Sequence, residues 1–113
     1  MNFRKQVLEN DIVLITVEIT EAGLNYSEQF KAFLNENSNQ DNPKLIIDLA
    51  KVAYMDISFI GALVAGLKHV LSHNGEMALA NIQKDVNALF ELTRLDKVFK
   101  ITNSITEAVN QLK

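Results

Sequence analysis

The sequence predicts an α/β domain built on a mixed, mostly parallel β-sheet of four or five strands. An N-terminal hairpin opens it and about four helices cover it. Three observations support this reading. Short apolar runs recur at residues 12–19, 45–49, 77–80 and 98–101, the first of them rich in β-branched residues. Between them lie segments with apolar residues at helical spacing, the longest over residues 57–73. After the opening hairpin, strands and helices alternate. The order β-β-α-β-α-β-α-β-α implies mostly parallel strands joined by right-handed crossovers.

The elements follow in order. Phe3, Lys5 and Val7 alternate with Arg4 and Gln6, and Asn10-Asp11 reads as a tight turn. Ile15, Val17 and Ile19 alternate with Thr16, Glu18 and Thr20, which suggests a hairpin with one buried face. A helix is expected after Gly23, with Asn25 and Glu28 as a capping box and Phe30, Phe33 and Leu34 as its apolar edge. Residues 35–43 are polar and turn-prone and read as a surface loop. Residues 45–49 form a central strand covered on both faces. Asp48 interrupts it, and a carboxylate there is expected to tie the strand end to a backbone N–H. The helix over 57–73 stops at Asn74-Gly75. A short strand follows at 77–80. Val86, Leu89, Phe90 and Thr93 mark a third helix, and residues 98–101 a further strand. Ser104 with Glu107 forms a capping box for a last helix, whose apolar face is Ile105, Ala108, Val109 and Leu112.

A chain of 113 residues fits one domain, residues 1–113, large enough to bury a core without staples. It has no Cys, which excludes disulfides, thiol catalysis and cysteine-based zinc sites and fits a reducing compartment. Net charge is −3 with no basic stripe, which argues against nucleic acid as the main ligand. The N-terminal residues lack the apolar run of a signal peptide, and no run reaches the ~20 residues that span a bilayer. A cytoplasmic protein without membrane insertion is expected.

The segment 57–73 is the most informative. At 100° per residue, Ile60, Leu63, Val64, Leu67, Val70 and Leu71 share a core face. The opposite side collects Ser58, Ala62, Ala65, His69, Ser72 and His73, with Lys68 off to one flank. An outer face of short side chains reads either as a docking surface or as a face packed by neighbouring chain. Ser58 sits in the first turn, where free N–H groups and the helix dipole favour a negative group. A phosphate there would be tolerated by the helix and would repel an apolar or acidic partner. Asp56, just before the helix, is placed to cap it and to orient the Ser58 hydroxyl. The pair His69 and His73 has a spacing that suits a metal, but no third ligand is identifiable. It reads as a solvated pair, and no metal or cofactor is expected. His69 lies 11 residues beyond Ser58, about 16 Å along the helix, too far to act as its base. Ser58 is therefore expected to receive chemistry, and the chain is not expected to be an enzyme.

Leu45-Ile46-Ile47-Asp48-Leu49, then Tyr54-Met55-Asp56-Ile57-Ser58-Phe59-Ile60-Gly61, then Asn74-Gly75-Glu76-Met77-Ala78-Leu79 resemble the STAS domain family, which includes bacterial anti-sigma factor antagonists. The resemblance extends through Val86, Leu89, Phe90, Leu92 and Leu95 to residues 98–101. It implies a STAS-like fold and places the phosphorylatable hydroxyl, two residues after the Asp, at Ser58. It further implies an anti-sigma factor with serine kinase activity as partner. That partner would be sequestered by the unphosphorylated protein, so that a sigma factor is freed, and would be released on phosphorylation. A PP2C-type serine phosphatase would reset the switch, and ATP would belong to the kinase. The partner-binding residues implied are Asp56, Ser58, Phe59, Ala62, Ala65 and His69. The sequence departs from the family pattern at Ile57, in place of a Ser or Thr, and at Phe59, in place of a Gly. Phe59 reads as a possible hydrophobic anchor for the partner. It also keeps open a constitutive interaction or scaffold module that phosphorylation does not control. A receiver domain is less well matched, because Glu21 with Asp48 or Asp56 does not supply its acidic set.

Overall fold

The structure, a computed structural model, describes residues 2–113. Strands β1 (Phe3–Val7) and β2 (Val13–Val17) pair antiparallel. They are joined by a short 3-10 turn in which Asn10 and Asp11 both hold φ near 59°. Asn and Asp tolerate this left-handed geometry better than most residues, as their place in the turn requires. A two-residue strand β3 (Glu21–Ala22) leads into α1 (Leu24–Glu36). Then come β4 (Lys44–Asp48), a second two-residue strand β5 (Tyr54–Met55) and α2 (Ile57–Ser72). The chain ends with β6 (Glu76–Ala80), α3 (Lys84–Leu92), β7 (Lys100–Thr102) and α4 (Ile105–Leu112).

The main sheet has five strands in the order β1-β2-β4-β6-β7, and every pairing except β1–β2 is parallel. Mixed sheet, hairpin and four helices agree with the expected class. The sheet is sealed unequally. One face carries Val13, Ile15, Val17, Leu45, Ile47, Met77 and Leu79 against α1, α2 and α3. The other carries Ile12, Leu14, Ile46, Ala78 and Ala80 against α4 alone. The hairpin expectation of one buried face is therefore corrected for β2. Val13, Ile15 and Val17 pack in the main core, and Leu14 on the opposite face packs in the α4 cluster, so both faces of β2 are covered.

Asp48 behaves as expected. Its Oδ1 accepts from the Ala50 backbone N–H (3.0 Å) and from Asn81 Nδ2 (3.1 Å), so it ties the end of β4 to the end of β6. Ser104 caps α4, accepting from the Glu107 N–H at 3.0 Å. Gly75 is needed where α2 turns into β6: a Cβ there would lie 2.2 Å from the Pro43 carbonyl oxygen.

Against α1, the buried stripe of α2 is Phe59, Ile60, Ala62, Leu63, Gly66, Leu67 and Val70. It is turned roughly 60° from the expected face at 100° per residue. Leu71 is exposed, and Ala62 and Phe59 are buried. The small residues admit α1 rather than leaving an open face. Gly66 lies so close to Leu34 that a Cβ would sit 2.4 Å from Leu34 Cδ1 and 3.3 Å from its Cβ. Behind this crossing Phe30 and Phe59 stack at 4.5 Å, with Phe3 against Phe30 at 5.0 Å.

The glycines of α2 should part company under the same substitution. Gly61 has open space where a Cβ would go, so Gly61→Ala should raise stability by roughly 0.5–1 kcal/mol through helix propensity. Gly66→Ala gains the same propensity but overpacks a tight crossing and should lower stability by about 1 kcal/mol or more. Urea unfolding midpoints of the two variants decide this.

Candidate functional site

The two short strands missed in the sequence build the site. Glu21 pairs with Tyr54 and Ala22 with Met55, in parallel. This ladder sets the starts of α1 and α2 side by side, and the Asp56 N–H closes it on the Ala22 carbonyl at 3.0 Å. The Asp56 carboxylate then serves both helices. Its Oδ1 accepts from the Phe59 N–H (3.1 Å) and from Ser58 Oγ (2.6 Å). Its Oδ2 accepts from the Leu24 N–H (3.0 Å), the first residue of α1. The expected Asn25–Glu28 capping box is corrected accordingly. The helix starts at Leu24 with Gly23 as a cap residue that offers no side chain, and the cap arrives from Asp56, 32 residues away in sequence. Gly23 permits this approach, since a Cβ there would lie 2.9 Å from Asp56 Oδ2.

Three hydrogen bonds to one carboxylate favour its charged form. The Ser58 hydroxyl, then the Phe59 N–H and more weakly the Leu24 N–H, hold Asp56 below the usual aspartate range against an opposing effect of burial that exceeds the Leu24 contribution. A carboxylate held down in this way is a weak base. It accepts the Ser58 proton in a hydrogen bond and so fixes the direction of that O–H.

Ser58 itself is half-buried. A shallow groove runs from it along the seam between α2 and α1, lined by Ser58, Gly61, Ala62 and Ala65 on one side and by Leu24, Ser27, Glu28 and Lys31 on the other. Three large apolar side chains ring the Asp56–Ser58 pair and face solvent: Leu24 at 72% exposure, Ile57 at 77% and Tyr54 at 56%. The sequence reading missed all three. For Leu24 and Ile57 the signal was an apolar residue at the first helical position, whereas Tyr54 sits in the two-residue strand β5.

The remaining sequence-derived candidates divide. Asp56, Ser58 and Ala65 come together, and Ala62 joins them at the groove's floor, almost wholly buried against α1. Phe59 is corrected: it is fully buried in the stack on Phe30 and presents no surface to a partner. His69 lies toward the other end of α2, where its Nδ1 is 2.9 Å from Ser38 Oγ. Among the described residues no group of three or more His, Cys, Asp or Glu side chains is placed to hold a metal ion. No described helix is long and apolar enough to cross a membrane.

Comparison with known proteins agrees with this architecture. The STAS domain profile matches residues 4–108. A Thermotoga maritima protein provisionally named an anti-sigma factor antagonist is 28% identical over 114 residues, covering 98% of this chain and 97% of that one. An anti-sigma-factor antagonist (STAS) domain protein from Planctomyces limnophilus superposes with a TM-score of 0.87 at 22% identity, over 97% of each chain. The Bacillus cell fate determinant SpoIIAA, in its phosphorylated form, shares the fold with a TM-score of 0.71 at 17% identity, over 98% of this chain and 99% of that one.

Two outcomes test the geometry. Asp56→Ala removes an acceptor from two helix starts and should cost about 2 kcal/mol, near the upper end for a single cap. Because the folded state depresses the Asp56 pKa, its contribution is complete above the unfolded value and disappears as pH falls through the folded one. The gap in urea midpoint between wild type and Asp56→Asn should therefore be widest near neutrality and shrink below about pH 4. Phe59→Ala should lower stability by about 3–5 kcal/mol, as for a buried aromatic, measured by the same unfolding curves.

Proposed function

The chain belongs to the STAS domain family, and from that premise we propose that it is an anti-sigma factor antagonist switched by phosphorylation of Ser58. Unphosphorylated, it binds an anti-sigma factor that is also a serine kinase, and a sigma factor is freed. The kinase uses ATP to phosphorylate Ser58 and the complex separates. A PP2C-type phosphatase restores the hydroxyl. This role places the protein in the cytoplasm. The observation that carries the reading is the Ser58 hydroxyl, fixed on Asp56 at 2.6 Å and ringed by exposed apolar side chains.

The chemistry follows from that arrangement. Ser58 Oγ attacks the γ-phosphorus of ATP, the bond to the bridging oxygen breaks and ADP leaves. Asp56 orients the hydroxyl, while a base of the kinase takes the proton; the lowered Asp56 pKa makes that carboxylate the poorer acceptor. The phosphoserine has no proton to donate, so the attraction to Asp56 becomes a repulsion. Two unit charges about 5 Å apart at a protein surface repel by roughly 3 kcal/mol. The helix N-terminus offsets part of this for the folded domain. A partner seated on Leu24, Tyr54 and Ile57 faces a group carrying about 1.5 to 2 negative charges in the middle of an apolar contact. The likeness to a phosphorylated neighbour at a TM-score of 0.71 supports a switch that keeps the fold.

Incubation with the cognate kinase and ATP should add one phosphate to the wild type and none to Ser58→Ala. Ser58→Asp should weaken partner binding by tenfold or more, the equivalent of about 1.4 kcal/mol, and Ile57→Ala should weaken it without blocking fold or modification. Full phosphorylation of Ser58→Ala would reject the switch residue. Partner binding unchanged by Ser58→Asp would instead favour a constitutive scaffold module.

A further inference from the structure

The C-terminal end of α2 holds two imidazoles whose hydrogen-bond partners favour one tautomer. His69 and His73 lie one turn apart with ring centroids 4.6 Å apart and ring planes tilted by 39°. Ser38 Oγ, fully buried, donates its proton to the Leu34 carbonyl at 2.6 Å. It can therefore only accept from His69 Nδ1, 2.9 Å away, so that nitrogen carries the hydrogen. His73 Nδ1 faces the His69 carbonyl at 3.0 Å, an acceptor only, so it carries a hydrogen as well. Ser72 Oγ, whose proton goes to the same carbonyl at 2.7 Å, completes the arrangement at 3.2 Å from His73 Nδ1. A ring in this tautomer carries its lone pair on Nε2.

We propose that His69 and His73 form a binding site for a divalent transition-metal ion such as Zn2+, ligated through the two Nε2 atoms and completed by water. Neutral imidazole is the ligand form, and a ring whose other N–H is held by a carbonyl or hydroxyl is the usual metal-binding arrangement. Histidines at i and i+4 on one helix face hold zinc in other proteins. Both rings here are partly exposed, so the ion is reachable. No third protein ligand stands among the described residues, so the site is open and of modest affinity. It also bridges two elements. The Ser38 contact ties His69 to the C-terminal end of α1, so an ion on the pair would brace both helix ends. The site lies about 16 Å along α2 from Ser58 and does not rest on the phosphorylation reading.

Tag-free protein titrated with Zn2+ near neutral pH, followed by calorimetry, should show one saturable site, and Mg2+ should show none. His69→Ala and His73→Gln should each abolish it. Ser38→Ala keeps both rings but removes the partner of His69 Nδ1, and should weaken binding about tenfold. Nitrogen-15 NMR of the metal-free rings should show Nδ1–H, with the Nε2 signals moving on addition of Zn2+. No saturable Zn2+ binding, binding that survives His69→Ala with His73→Gln, or metal-free rings in the Nε2–H form would overturn the proposal.

Discussion

The structure depends on one carboxylate. Asp56 accepts hydrogen bonds from two helix starts and one hydroxyl, and each requires something of the chain around it. The β3–β5 ladder brings the two turns together. Gly23 leaves room for the oxygen to reach α1. The Phe30–Phe59 stack fixes the helices one turn further in. Two helix N-termini, each a partial positive charge, converge on a single anion. The orientation of Ser58 is set by the group that holds α1 and α2 in register, so site and scaffold share an anchor.

Most of the sheet was legible in the sequence because its strands are apolar runs bounded by turn residues. The Asp48 bond to the Ala50 N–H and the cap at Ser104 were legible too, since both act within a few residues, while the Asp48 bond to Asn81 was not. What escaped the sequence was non-local. Strands of two residues carry no periodicity, so β3 and β5 left no pattern to find. The cap of α1 comes from Asp56, and no local window places that residue beside Gly23. The second covered face of β2 depends on α4, at the far end of the chain.

The site was legible in chemistry and misread in orientation. Asp56 and Ser58 stand where the spacing put them. The buried stripe of α2 was misplaced because Ala62 and Gly66 weigh little in a hydrophobic pattern, yet they admit α1. Once α1 sits there, Phe59 must point into the core. The apolar surface near Ser58 passes instead to Leu24, Tyr54 and Ile57. An outward-facing apolar residue beside a turn is unremarkable alone, and only the fold gathers three of them around one hydroxyl.

The unequal sealing of the sheet has a consequence for how the domain tolerates change. The α4 helix rests on β4, β6 and β7 and covers only the small apolar cluster on its own side. Asp56, the two-strand ladder and the aromatic stack all belong to the opposite side. Local opening of α4 would bare Ile12, Leu14 and Ile46 while leaving the geometry of Ser58 in place. Substitutions beneath α4 act on stability while leaving the groups around Ser58 in place, whereas substitutions on the Asp56 side disturb core and site together.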